Sequence, residues 1–319
     1  MSRYPEQPLD FSGLQTISIH DRGGKVKIED FAAPPQKGGD VIAFLAGLPH
    51  ILAGDSLRAV VEAIIRARDN KRAIIWGLGG HVIKCGLAPV LIDLMERGFA
   101  TAFAMNGASA IHDFEIAIAG ATSEDVEAVL PNGSFGVAEE TGHEMNAALD
   151  YAFHNNIGAG EAYGFRLAQL ARPEFRRFSL LHEAFKNVTP VTVHIAVGTD
   201  TPHAHPAAVG ANIGAATHRD FRLFSALVQQ LEGGGVYLNL GSAVVLPEVF
   251  LKAVSLVRNL GAPLSDFSTV NIDFLQHYRP KTNVVERPHA GGVGQGYSLT
   301  GHHEILIPLI AAALVECAE

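Results

Sequence analysis

Lys71–Gly80, KRAIIWGLGG, followed by His81–Gly98, HVIKCGLAPVLIDLMERG, decides the fold of this chain. The four residues before Gly77, Ala73–Trp76, form an apolar run, which reads as a buried strand. The glycines at 77, 79 and 80 then turn the chain. The next eighteen residues read as one amphipathic helix that closes at Gly98. The same sentence is repeated along the chain. ATAFAMNG (100–107) gives strand and turn, and ASAIHDFEIAIAG (108–120) gives helix. VTPVTVHIAVGTD (188–200) gives a strand entering a turn, and DFRLFSALVQQLEGG (220–234) gives a helix. GVYLNLGSAVV (235–245), LPEVFLKAVSLVRNLG (246–261) and FSTVNIDF (267–274) add strand, helix and strand. Alternation of this kind predicts an α/β fold: a doubly wound, mostly parallel sheet with helices on both faces.

Outward from that centre the pattern is weaker. Leu57, Val60, Val61, Ile64 and Ile65 recur at helical spacing, so a helix is expected over Asp55–Asp69, capped by Asp55 or Ser56. Residues 1–40 include AAPPQKGG and read as an extended N-terminal arm. Residues 41–319 read as a single domain, with an irregular insertion over about 122–173. The apolar run ILIPLIAAALV (305–315) is about half of what a bilayer needs and reads as a buried helix. The net charge of −9 and the lack of any Lys/Arg block argue against nucleic acid as a partner. Two cysteines without framework spacing, and an N-terminus without an apolar stretch, fit a cytoplasmic protein that needs no membrane partner.

In open parallel sheets, ligands bind beyond the carboxyl ends of the strands. Here those ends carry glycines leading into helices, which suit phosphate or carboxylate. WGLGGHVIKCG (76–86) matches the first two glycines of a dinucleotide fingerprint, but Val82 holds the third position.

These segments, in this order, resemble the deoxyhypusine synthase family from about Lys71 to the end. GGHVIKCG (79–86) stands where that family carries a segment like TSNLISSG, and MNGASAIHD (105–113) where it carries TTAGGVEED. PVTVHIAVGTD (190–200) is similar to PALTDGSLG, and LGSAVVLPEV (240–249) to LGGGVVKHHI. VNIDFLQHYRPKTNVVERP (270–288) is similar to INTAQEFDGSDSGARP, and LIPLIAAALVE (306–316) to VFPLLVAE. The resemblance implies a Rossmann-type fold, NAD as cofactor and a homotetramer. It implies NAD contacts from Gly79, Gly80, His81 and Lys84, then Asn106, Gly107, Ala108 and Asp113, then Asp200, and finally Asn271, Ile272 and Asp273.

The family's active site is not kept. Its catalytic lysine lies in SWGK, whereas this chain reads HAGGVGQGYSLTGHH (289–303) and has no lysine after Lys281. A lysine imine therefore cannot form at that position. The family's acidic polyamine stretch is replaced by Arg279, Lys281 and Arg287, which favour an anionic group on a small-molecule substrate. The reading is an NAD-dependent enzyme of transferase or oxidoreductase type, acting on a small amine or amino acid and not making deoxyhypusine. His203, His205, His277 and Lys84 are its candidate catalytic groups.

Two alternatives stay open. PHAHP (202–206) and GHHE (301–304) could supply His203, His205 and His302 to a divalent metal in a hydrolase or lyase. The same histidines could instead serve as acid–base groups in a polar cleft, and the scaffold could also be a non-catalytic binding protein. His112–Asp113 and His143–Glu144 add further polar groups, and Glu139–Glu140 read as a helix start or a general base. Cys85 and Trp76 read as packing residues, and Ser242 does not stand in a nucleophile elbow.

Overall fold

The computed structural model describes residues 2–318. Six strands form one sheet: β1 (Ile74–Leu78), β2 (Ala102–Asn106), β3 (Val191–His194), β4 (Gly235–Leu240), β5 (Phe267–Asp273) and β6 (Gln295–Thr300). Their order is β3-β2-β1-β4-β5-β6, and every pairing is parallel. The helices are α1 (Val41–Gly47), α2 (Leu52–Asp69), α3 (Gly80–Lys84), α4 (Ala88–Glu96), α5 (Gly107–Ala119), α6 (Val126–Val129) and α7 (Glu139–Asn155). They continue with α8 (Ala159–Leu170), α9 (Leu180–Lys186), α10 (Gly210–Gln229), α11 (Val245–Asn259), α12 (Tyr278–Pro280) and α13 (His303–Cys317).

Strands β1 to β5 are buried on both faces while the edge strand β6 is largely exposed, and the buried side chains alternate between two cores. Ile74, Trp76 and Leu78 of β1 pack with α2, α4, α5, α8, α9 and α13. Ile75 points the other way and joins Phe224 and Val228 of α10 and Leu246, Phe250 and Val254 of α11. Trp76 is fully buried, and its indole N–H donates to the Phe99 carbonyl at 2.9 Å. That bond lets a polar ring sit in the core without a desolvation loss. The sheet is thus doubly wound, as expected, and wholly parallel.

Four local expectations are corrected. The stretch His81–Gly98 is two helices, because Gly86 adopts φ +75 between α3 and α4. The stretch expected to be irregular holds the long helices α7 and α8, whose Met145, Ala148, Leu149, Ala162 and Leu167 enter the larger core. β6 occupies a glycine-rich segment that carries no strand signal of its own. α2 begins at Leu52, one turn before the expected cap, with Ile51 at its N-cap. The arm as far as Gly39 carries no helix or strand beyond a single turn at Ile28–Asp30. No helix among the described residues is long and apolar enough to cross a membrane.

A buried carboxyl ties the far edge of the sheet together. Asp220 of α10 accepts from the N–H groups of Gly160 (2.9 Å) and Val193 (2.8 Å) through one oxygen. Its other oxygen is buried without a partner, and burial pushes its pKa up to about 7. The folded chain therefore holds a proton that the unfolded chain releases. The associated stability is present below the ordinary carboxylate range and is lost as pH rises through about 7. Asp220→Asn keeps an acceptor for the two N–H groups and removes the charge. Urea unfolding across pH 5 to 8 should show the variant gaining on the natural chain as pH rises, by roughly 1–3 kcal/mol at the alkaline end.

Candidate functional site

The site forms where β1 and β4 lie side by side but send their following helices to opposite faces. Val82 and Ile83 of α3 enter the larger core, while Leu246 and Phe250 of α11 enter the smaller one. This is the crevice in which open α/β sheets bind ligands. Its walls touch through bare backbone: a Cβ on Gly79 would stand 2.1 Å from the Gly241 carbonyl oxygen. Gly241 itself has φ +65, and a Cβ there would stand 2.8 Å from the His303 ring.

The rim continues over β2 and β3. Asn106 caps α5 by accepting from the Ser109 N–H at 2.9 Å, and the Ser109 hydroxyl donates to the Leu78 carbonyl at 2.8 Å. Those two bonds lock the end of β1 to the start of α5. A Cβ on Gly80 would lie 3.0 Å from the Ala108 Cβ, and one on Gly107 would lie 1.8 Å from an Asp200 carboxylate oxygen. His203 Nε2 lies 3.9 Å from Asp200. Gly80, Ala108, Gly107, Asp200 and His203 are therefore one continuous rim, as the sequence reading requires.

On the other side of the crevice, α3, the end of β5 and the start of α13 converge. Cys85 Sγ lies 3.1 Å from His81 Nε2 and 3.7 Å from Glu304 Oε2. The ring centroids of His81 and His303 are 5.7 Å apart, and Phe274 stacks on His302 at 6.0 Å. His303 Nε2–H donates to the Ile272 carbonyl at 3.0 Å, which leaves Nδ1 as a buried lone pair without a partner. Burial and the neighbouring Glu304 push the Cys85 thiol up, so it is not a standing thiolate at neutral pH. Beneath this cluster runs a row of amides: Asn239 donates to Asn271 at 2.8 Å, and Asn271 donates to Gln276 at 2.7 Å.

His112 completes the rim. The Thr122 hydroxyl donates to Glu115 at 2.5 Å, so it accepts from His112 Nδ1–H at 2.8 Å. The Nε2 lone pair is then free for chemistry. Burial first, and the charge of Lys84 second, lower the His112 pKa to about 4. It is an uncharged base near neutral pH.

Not every expected residue belongs to this site. Asp113 is fully buried, and its oxygens accept from the Ser179 hydroxyl (2.6 Å) and the N–H groups of Leu180 (2.7 Å) and Leu181 (2.9 Å). It anchors the start of α9 and offers nothing to a cofactor. Asp273 closes β5, with one oxygen accepting from the Phe274 N–H at 2.8 Å. His205 lies 3.3 Å from Glu139, while His203 accepts from the Gly198 N–H at 3.1 Å. Neither joins His302 in a metal set. Among the described residues, the one group of three or more with ligand atoms within 4.8 Å of one another is His81, Cys85 and Glu304.

The basic substrate residues are not free cations either. Arg279 pairs with Glu248 at 3.1 Å, Lys281 with Glu286 at 4.0 Å, and Arg287 donates to Asn283 at 2.8 Å. His277 and Lys84 are exposed. The residues missed from sequence are Cys85, His303 as a buried base, and His112 as an isolated neutral one. For Cys85 a signal was present: His81 and Cys85 are four apart, hence on one helix face.

No protein-family model matches the chain, and no curated protein matches it by sequence. Solved structures are similar in fold. A conserved putative LOR/SDH protein from Methanococcus maripaludis S2 superposes with a TM-score of 0.53 at 15% identity, over 84% of this chain and 71% of that one. A putative deoxyhypusine synthase from Entamoeba histolytica gives 0.52 at 11% identity, over 89% and 96%. The cyanobacterial arginine dihydrolase ArgZ gives 0.51 at 18% identity over 83% of this chain, which spans only 33% of ArgZ. These likenesses establish a Rossmann-like α/β fold of the kind seen in the putative deoxyhypusine synthase.

The glycine contact can be tested against a glycine that faces open space. Gly79→Ala should lower unfolding free energy by roughly 2–4 kcal/mol, because backbone must move. Gly86→Ala, with φ +75 and nothing within 4 Å of its Cβ, should cost only about 1–2 kcal/mol. Paired urea melts would read the difference.

Proposed function

We propose that this chain binds NAD in the crevice between β1 and β4 and acts on a small amine or amino acid, without making deoxyhypusine. One observation carries the reading: two backbones meet at Gly79 and Gly241 where the helices diverge, as a strand-end dinucleotide site requires. The residues present fit the group. The bare backbone of Gly79 and Gly80 brings the end of β1 against Gly241 and Ala108, with the Lys84 charge one turn along α3 to meet a pyrophosphate. Asp200, set against Gly107, suits a ribose hydroxyl and would repel a phosphate. Val82, in the third fingerprint position, is fully buried and seats α3 on the sheet.

When bound, NAD supplies a hydride acceptor. The chain supplies the rest. His112 can take a proton through Nε2, with Thr122 and Glu115 holding its ring from the far side. The amide row of Asn239, Asn271 and Gln276 keeps the floor of the crevice polar and rigid. No lysine follows Lys281, and Lys281 faces Glu286, so imine chemistry of the resembled family has no amine to use there. The arginine dihydrolase among the fold neighbours supports an amino-acid-sized substrate. A homotetramer belongs to the same proposal, by the resemblance alone.

Isothermal titration of ligand-stripped protein with NAD tests the reading. Saturable binding with a submillimolar Kd is expected. Lys84→Glu, which reverses the exposed charge beside the glycine turn, should weaken it by at least about tenfold. A folded protein that gives no binding at millimolar NAD overturns the proposal.

A further inference from the structure

His81, which the family resemblance implies as an NAD contact, stands with Cys85 and Glu304 in a mixed nitrogen, sulfur and oxygen donor set. We infer that they bind one zinc-class divalent transition metal, with an open coordination position facing the crevice.

The geometry is close to what such an ion demands. Tetrahedral zinc with bonds of roughly 2.0–2.3 Å keeps its ligand atoms roughly 3.3–3.7 Å apart. Here His81 Nε2 and Cys85 Sγ are 3.1 Å apart, Cys85 Sγ and Glu304 Oε2 are 3.7 Å apart, and all three donors fall within 4.8 Å. Side-chain adjustments of up to about an ångström complete the set. The donors come from two rigid pieces. His81 and Cys85 stand one turn apart on α3, and Glu304 lies in the first turn of α13.

The donor types select the ion. Thiolate and imidazole favour zinc, cobalt or iron over magnesium and calcium, which prefer oxygen alone. Three protein ligands with a vacant fourth position are the pattern of a catalytic rather than a structural zinc. On binding, the Cys85 thiol releases its proton to solvent and the sulfur ligates as thiolate.

A second observation points to the same place. His303 is 1% exposed, and its ring centroid lies 5.7 Å from that of His81. Its Nε2–H is fixed on the Ile272 carbonyl, so Nδ1 is a buried lone pair without a donor. Such an atom is costly to bury. A water on the metal's open position would give that lone pair a proton to accept.

The inference does not depend on NAD. Chelator-stripped protein is titrated with Co²⁺ alone and then with Zn²⁺ as competitor. One equivalent of Co²⁺ should bind at micromolar concentration, with a thiolate-to-cobalt charge-transfer band that Zn²⁺ abolishes. Cys85→Ser should remove the band. Glu304→Gln, at an exposed position, should weaken binding by at least about tenfold without changing the melting temperature of the stripped protein. Absence of stoichiometric binding, or binding that neither substitution alters, overturns the site. A parallel NAD titration of the stripped protein separates the two readings, since either ligand can then bind or fail alone.

Discussion

The contact between Gly79 and Gly241 is the constraint on which the rest of the site depends. Neighbouring parallel strands must hydrogen-bond along their length, so their ends cannot move apart. Their helices, however, leave for opposite cores: α3 toward one, α11 toward the other. At the point of divergence the two chains pass so closely that a Cβ would overlap a carbonyl oxygen, 2.1 Å away. Only glycine meets both demands, because the neighbouring backbone fills the place of its missing side chain, and the crevice opens where the two helices diverge.

What surrounds that space is polar without being strongly charged. The floor is a row of amides, the β2 side holds an uncharged histidine, and the nearby carboxylate of Asp200 is pushed up by burial. A crevice of this kind discriminates by hydrogen bonds and proton transfer rather than by net charge. The arginine and lysine residues on the β5–β6 connection fit this picture, because Glu248, Glu286 and Asn283 already engage them. Sequence shows their charge but not their partners, so they read as free anchors when they are an internally paired surface.

The fold was legible because each strand and helix obeys its own period. Ile74, Trp76 and Leu78 against Ile75 already encode two faces, and Gly77 through Gly80 encode the turn. The rim from Gly80 through Asn106 to His203 was legible for the same reason, since a strand end is a local feature. Three things were not. Gly86 breaks a continuous helical pattern through one dihedral angle. β6 is held by β5 rather than by its own residues. Asp113 looks like a rim acid beside His112, yet its carboxylate is taken up by the start of α9. In the last two cases a long-range partner decides, and a single sequence carries no trace of it.

The chemistry at the edge of the crevice follows from what stands at the end of β6. In this chain the strand runs into Gly301, and the next three residues, His302, His303 and Glu304, open α13 beside the crevice. A lysine in such a place offers one nucleophilic amine, whereas this triplet offers two imidazoles and a carboxylate. Imidazole and carboxylate groups move protons or hold cations, but they do not form imines with carbonyl carbons. His303 is fixed by Ile272, His302 stacks on Phe274, and Glu304 reaches Cys85, so the three side chains have separate and settled surroundings. The same backbone that sets a crevice between β1 and β4 also brings these groups to its edge, where imidazole and carboxylate can move protons or hold a cation.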